Sequence, residues 1–378
     1  MNYHFKGEEE IDSPSLVYYQ DVIEENINRA IDLAGGAGRL WPHIKTHKTS
    51  ALLKMQIGRG IARFKCATIA EAELCAMSGG THVLLAYPLV GPAITRFVKL
   101  INKYKKTMFW AIGDNLQQLE LLGKAASENK TPINTLVDVN LGMNRTGVLP
   151  QLLEEFYLKA VKYPGLGLKG FHCYDGHLTN KDISERRSAA FSALDSLWKI
   201  KESLEKQGFE IPVMVMGGSP TFSCHRETEG VFLSPGTFFV QDYGTFSKYK
   251  DLPFTPGAAI LSRVVSHPLR SNLKAGLSDN GSETGGFFTL DTGSKAIAAD
   301  PIERGVIADL PEAVSVFQSE EHWVWKLAGN LPPIGSIVYI IPGHICPTSA
   351  LYPGLVAVKN GVKTDYWEVE ARNRKITV

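Results

Sequence analysis

Two stretches of this chain carry residue types that can do chemistry. Pro342-Gly343-His344-Ile345-Cys346-Pro347-Thr348 follows the apolar run SIVYII. In an extended segment alternate residues share a side, so the His344 imidazole and the Cys346 thiolate can converge on one cation. Two ligands hold zinc weakly and His-x-Cys also arises by chance, so the pair makes a metal site only if substrate or water completes it. Open coordination positions are what a Lewis-acid catalyst uses. In the other stretch, Trp41-Pro42-His43-Ile44-Lys45, the same alternation puts Trp41, His43 and Lys45 on one face. A desolvated lysine there is either paired with a carboxylate or serves as an amine nucleophile and base.

Two loops could complement that amine. Met216-Gly217-Gly218-Ser219-Pro220-Thr221 and Ser234-Pro235-Gly236-Thr237 each combine glycine with hydroxyl residues. Glycines let backbone N–H groups approach an anion, and hydroxyls add donors. An amine and a phosphate cradle are the minimum equipment for pyridoxal phosphate held as a Schiff base. Arg145, in Asn144-Arg145-Thr146-Gly147, is either solvated or part of the same rim. Tyr174 and His177, in FHCYDGHL, lie near it, His177 reading as a packing residue.

The elements that must position these residues alternate. LWPHIK, ARFKCA, HVLLAYP, MFWAI, INTLVDVN, LGLKGFHCY, IPVMVM and GVFLSP read as strands, separated by segments of helical period such as the one opened by a Thr68/Glu71 capping box. Eight strands with intervening helices predict a parallel (β/α)8 barrel over residues 14–250, its chemistry at the C-terminal strand ends and phosphate after strands seven and eight. A doubly wound sheet is the alternative, but no G-x-G-x-x-G follows the first strand. Beyond Tyr243, short runs between Gly, Pro, Asn and Asp (AAILSRVVSH, GFFTLDTG, SIVYIIPGH, GLVAVKNG, TDYWEVEARN) predict a mostly antiparallel β domain over 251–378, which residues 1–13 are free to join.

Composition narrows the function classes. Forty Lys+Arg against 39 Asp+Glu, a net charge of +1, argue against a nucleic-acid binder, whose affinity needs uncompensated basic groups. No stretch approaches the ~20 apolar residues of a membrane span, and the acidic N-terminus lacks the apolar run of a secretion signal. The five scattered cysteines, with no CxxC pair, predict free thiols in a reducing, cytoplasmic compartment. Each reads by itself as a small buried hydrophobe.

Together, Pro42 to Lys48, Met143 to Gly147, Tyr174 to His177, Gly217-Gly218-Ser219, Pro235-Gly236-Thr237 and Gly343 to Thr348 resemble the D-threonine aldolase and metal-dependent D-serine dehydratase family, of alanine-racemase-like pyridoxal-phosphate fold. The likeness runs in order along nearly the whole chain, to Trp367 through Arg372. It implies Lys45 as Schiff-base lysine, Arg145 at the cofactor's phenolic oxygen and Tyr174 near the pyridine nitrogen. It further implies the phosphate at Gly217, Gly218, Ser219, Thr221, Gly236 and Thr237, and a metal on His344 and Cys346. Aldolases of the family show H-x-D and its zinc-dependent dehydratases H-x-C, so Cys346 points to D-serine dehydratase, with D-threonine aldolase or D-threo-3-hydroxyaspartate dehydratase as alternatives. Thiolate favours Zn2+, with Mn2+ or Co2+ able to substitute. The resemblance also implies a homodimer whose active site lies between one chain's barrel and the partner's β domain, acting on a small D-amino acid. A cofactor-carrying homeostasis protein without turnover is the non-enzyme alternative; the H-x-C and the β domain discriminate against it.

Overall fold

The chain opens with a strand that the apolar pattern passes over, β1 (Ser15–Tyr19), running straight into helix α1 (Gln20–Ala34). In the computed structural model, which describes residues 1–268 and 285–378, the next long stretch alternates as the periodicity predicts. Helix α2 (Ser50–Gly58) is followed by β2 (Arg63–Cys66), α3 (Ile69–Met77), β3 (His82–Leu85), α4 (Pro92–Lys103), β4 (Met108–Gly113) and α5 (Leu116–Glu128). Then come β5 (Ile133–Asp138), α6 (Pro150–Ala160), β6 (Leu166–His172), α7 (Ile183–Lys206), β7 (Val213–Met216) and β8 (Phe232–Leu233). Strands β2 to β8 form one parallel sheet in sequence order, as right-handed crossovers through helices require.

The expected first barrel strand, residues 40–45, is not a regular strand. It joins both edges of the seven-stranded sheet through isolated parallel bridges, Leu40 to Leu233 and His43 to Lys65. Pro42 has no N–H to give to a ladder, and its carbonyl accepts from Lys65 N at 2.7 Å. A 3-10 turn over Ile44–Thr46 then ends the extended run. The alternation that places Trp41 inward therefore does not extend to Lys45. Trp41 itself is buried with Leu84, Trp110, Ile112, Leu136, Val213 and Val215 inside the curled sheet. Burying each such side chain contributes roughly 1.5–3 kcal/mol.

The capping box at α3 is half made. Thr68 Oγ1 accepts from Glu71 N at 3.1 Å, but Glu71 reaches past Thr68 to accept from Ala67 N at 2.6 Å and also pairs with Lys48.

After α8 (Tyr243–Lys248) come β9 (Ala258–Ser266), β10 (Gly285–Leu290), β11 (Gly305–Ile307), β12 (Val314–Gln318), β13 (Trp323–Ala328) and β14 (Ile337–Pro342). Helix α9 (Ile345–Leu351) and the hairpin β15 (Gly354–Lys359) and β16 (Val362–Glu368) complete the set. These strands and β1 form a mixed, mostly antiparallel sheet in the order β12-β13-β10-β9-β1-β15-β16, with β14 on β9 and β11 on β14. Residues 269–284 of the expected β domain lie outside the described residues.

The compact units divide elsewhere than at residues 14, 250 and 251. One holds Ile27–Phe238 and Glu370–Val378, the other Met1–Asn26 and Phe239–Val369. The causes are hydrogen bonds that local patterns do not reveal. β1 pairs antiparallel with β9 and parallel with β15, which assigns the N-terminus to the β unit. The last residues return to the barrel unit, where buried Glu73 accepts from Thr377 N at 2.9 Å and Val378 N at 3.1 Å.

Candidate active site

The barrel unit gathers its polar groups where the strands end. Lys45 sits half-buried in the 3-10 turn, its N–H donating to His43 Nδ1 at 3.2 Å. Burial, reinforced by the positive charges of Lys45 and Lys65, holds the His43 ring well below its usual range and keeps it neutral. Tyr174, just past β6, has Arg145 at 5.3 Å and the buried Lys65 at 5.5 Å from its ring centroid. Arg145 reaches it from an exposed loop that bends back at Gly147, where φ is +104° and a Cβ would come within 2.4 Å of Asn140 N.

The glycine-rich loops form a cradle. Gly217 has φ +68°, and a Cβ there would lie 2.9 Å from Phe222 Cα; at Gly236 it would lie 2.9 Å from the His43 carbonyl. Neither position accommodates a side chain without a shift. The N–H groups of Gly236 and Thr237 converge on Ser219 Oγ, donating at 3.2 and 3.3 Å. Two backbone donors aimed at one oxygen, beside glycines that leave room for close approach, can hold a phosphate. Thr221 is turned elsewhere: its hydroxyl donates to Asp175 Oδ2 at 2.6 Å, while Gly218 N donates to Asp175 Oδ1 at 2.8 Å. Burial pushes the Asp175 carboxyl up, but His225, Thr221 and the Gly218 N–H outweigh it and hold it ionised. Thr221 thus anchors the loop rather than presenting its hydroxyl to an anion.

Several residues at this rim carry no short motif and escape the sequence reading. At the end of β5, Asp138 Oδ1 lies 2.7 Å from His172 Nδ1 at the end of β6, both buried. Burial pulls His172 down more than Asp138 lifts it, so the ring is neutral near pH 7. Among the described residues, His172 Nε2 and Asp138 Oδ2 have no hydrogen-bond partner, while buried His225 keeps its Nε2 3.8 Å from Asp175 Oδ2. Buried polar atoms left unpaired at the mouth of a barrel suit a polar ligand. The sequence signal is positional: Lys65, Asp138 and His172 are each the third residue from the end of a predicted strand, ARFKCA, INTLVDVN and LGLKGFHCY. His177, by contrast, lies over Gly142, where a Cβ would come within 2.7 Å of its Nε2, as expected of a packing residue.

The β unit builds its candidate metal pair from one turn. Gly343 is wedged so closely that a Cβ would meet Glu303 O at 2.0 Å, and its N–H donates to Arg304 O at 2.7 Å. His344 then has extended dihedrals, but α9 begins at Ile345, so Cys346 is helical and the extended-segment argument fails for it. Cys346 nonetheless acts on the His344 ring, favouring its protonated form. Asp300 Oδ2 lies 2.6 Å from His344 Nδ1, and buried Asp242 accepts from Ile345 N at 3.1 Å, tying down the backbone between the pair. Burial pulls the His344 ring down, but Cys346 and Asp300 overcome that and hold it at about 9. Among the described residues no third His, Cys, Asp or Glu completes a cluster. One nitrogen and one sulfur donor with remaining positions open fit a borderline-soft divalent ion. The other four cysteines are buried and form no disulfide among the described residues, as expected of core residues.

No helix among the described residues is long and apolar enough to cross a membrane. Residues 19–243 match the family described as Alanine racemase, N-terminal domain, and residues 257–358 match the Putative serine dehydratase domain. D-threonine aldolase of Arthrobacter sp. is 26% identical over 374 residues, covering 96% of this chain and 93% of that protein. The crystal structure of D-threonine aldolase from Filomicrobium marinum matches with a TM-score of 0.84 at 25% identity, over 97% of both chains. D-threo-3-hydroxyaspartate dehydratase of Delftia sp. is 22% identical over 95% of this chain and 97% of that protein. A cysteine-to-alanine variant of that dehydratase, solved in a metal-free form, has the same fold, with a TM-score of 0.81 at 21% identity.

Proposed function

The chain belongs to the alanine racemase N-terminal domain family and carries a serine dehydratase domain behind it, and from that premise we propose a pyridoxal-phosphate-dependent lyase of β-hydroxy D-amino acids. Its preferred reaction is conversion of D-serine to pyruvate and ammonia by α,β-elimination. The observation that carries the choice is the imidazole of His344 and the thiol of Cys346 standing two residues apart on one strand-to-helix turn. An N/S pair favours zinc over magnesium or calcium, and elimination needs help for a poor leaving group, hydroxide.

When bound, pyridoxal phosphate supplies an electron sink for the substrate's α-carbon and the metal a Lewis acid for its β-oxygen. Lys45 would hold the cofactor by its amine and would serve as the base for the substrate's α-proton. Gly236 N, Thr237 N and Ser219 Oγ hold the phosphate, with Gly217 and Gly218 leaving room for it; Asp175 and Thr221 fix that loop's shape. Arg145 faces the cofactor's phenolic oxygen, with Tyr174 beside the ring. His344 and Cys346 would hold the ion, which would supply Lewis-acid help to the departing β-hydroxyl.

A second reading, retro-aldol cleavage to glycine and an aldehyde, is favoured by relatives such as the Arthrobacter aldolase. Purified holoenzyme given D-serine and D-threonine separates the two. Pyruvate from D-serine is expected; glycine and acetaldehyde from D-threonine, with no keto acid from either substrate, overturns the dehydratase.

A further inference from the structure

Lys65, at the end of β2, is 3% exposed, and its backbone bridges that of His43, two residues before Lys45. An ammonium taken out of water is costly unless it is paired. Lys65 makes no salt bridge or side-chain hydrogen bond among the described residues; its one close partner is the Tyr174 ring, 5.5 Å from Nζ. The carboxylates whose charge reaches it are Asp175 and Asp138. Neither makes a salt bridge with it: Asp175 is hydrogen-bonded to Gly218 N and Thr221 Oγ1, and Asp138 to His172 through one of its two oxygens. The other charges that reach it, Lys45 and Arg145, are positive. Arg145 also lacks an ion-pair partner among the described residues, and its Cζ lies 5.3 Å from the same Tyr174 ring. Two cations thus lie against one aromatic ring, and neither makes a salt bridge among the described residues. An aromatic face is too weak a partner to offset the burial of an ammonium.

We infer that Lys65 and Arg145 together receive the anionic phenolic oxygen of bound pyridoxal phosphate, which makes Lys65 a cofactor-binding residue of this chain. The assignment rests on the cofactor reading above. It explains why a lysine stands at a buried strand end without a counter-ion: the ligand brings the counter-charge. Burial, with Lys45 and Arg145 adding to it and Asp175 and Asp138 opposing, sets the Lys65 amine at about 7 in the cofactor-free protein, against 10.5 in the unfolded chain. A lysine depressed in this way binds its proton more readily when unfolded. Its contribution to stability is therefore present above 10.5 and is lost as pH falls toward 7.

The inference predicts opposite effects of one substitution. Cofactor-free Lys65→Met melts at a higher temperature than the cofactor-free wild type, and the difference is greatest near pH 7 and shrinks toward pH 10.5. The same variant, titrated with pyridoxal phosphate, binds it about tenfold or more weakly, with a shifted pH midpoint for the visible absorbance band. Lys65→Arg keeps the charge and recovers most of the affinity. Unchanged affinity and an unchanged midpoint in Lys65→Met overturn the assignment, as does a Lys65→Met protein that is less stable than wild type or does not fold. Wild-type protein that takes up no pyridoxal phosphate overturns the cofactor reading itself, a failure recognised because Lys45→Ala then behaves in the titration as wild type does.

Discussion

The two units build their candidate sites in opposite ways. In the barrel unit the groups come from distant parts of the chain: Lys45 from a turn, Lys65, Asp138 and His172 from the ends of β2, β5 and β6, and Ser219 and Gly236 from the loops after β7 and β8. In the β unit the two candidate ligands lie two residues apart on one strand-to-helix turn, with Asp242 and Asp300 bracing them. The barrel site is dense in buried charge, whereas the side chain of His344 is 39% exposed and that of Asp300 55%. A distributed site depends on every strand holding its register. A turn site depends on local geometry and a few braces, so each site should fail in its own way.

The largest effect tests the barrel. Lys45→Ala should cost on the order of 10²–10⁴ in turnover, the contribution of a positioned base, and abolish the visible absorbance that depends on the covalent link. Metal content measured on the same sample should not change. If the metal is lost as well, the two sites are not separable and the comparison breaks.

The reverse experiment is next in size. His344→Ala or Cys346→Ala should lower elimination by about 10²–10³, the cost of losing one electrostatic stabiliser of developing negative charge, and remove the metal from elemental analysis. The visible absorbance should persist in both. Equal activity after exhaustive chelation of the wild type would rule out metal catalysis.

The smallest effect addresses the brace. Asp300 accepts the Nδ1–H of His344, an arrangement that leaves Nε2 as the ligand and fixes the ring. Asp300→Asn should weaken metal binding about 10- to 100-fold, read by competition with a chromophoric chelator, and leave pyridoxal phosphate affinity unchanged. Metal binding as tight as in the wild type would show that the turn alone orients the ring.

Much of this was legible in the chain. The helical and strand periods identified β2 to β8 and the helices between them, because one-sided burial imposes those periods on the sequence. The glycines of the phosphate loops were legible because close backbone approach tolerates no side chain there, and Cys346 because a thiol two residues from an imidazole is a short-range signal. Lys45 is singled out in the sequence by a rule that stops before it: the alternation holds through His43 and ends at the 3-10 turn. β1 was missed because five residues running directly into a helix show no alternation of their own.

The sequence by itself determined the order of the barrel elements, the positions of the glycine cradles and the His344–Cys346 pair, each a matter of neighbours along the chain. Only the tertiary structure decided that residues 1–26 join the β unit, that Thr221 serves Asp175, and that Lys65 is buried without a counter-ion beside Tyr174. The physical reason is sequence separation. Parallel pairing brings together groups 22 positions apart (His43 and Lys65) and 193 apart (Leu40 and Leu233), and no local period records which strand end will face which.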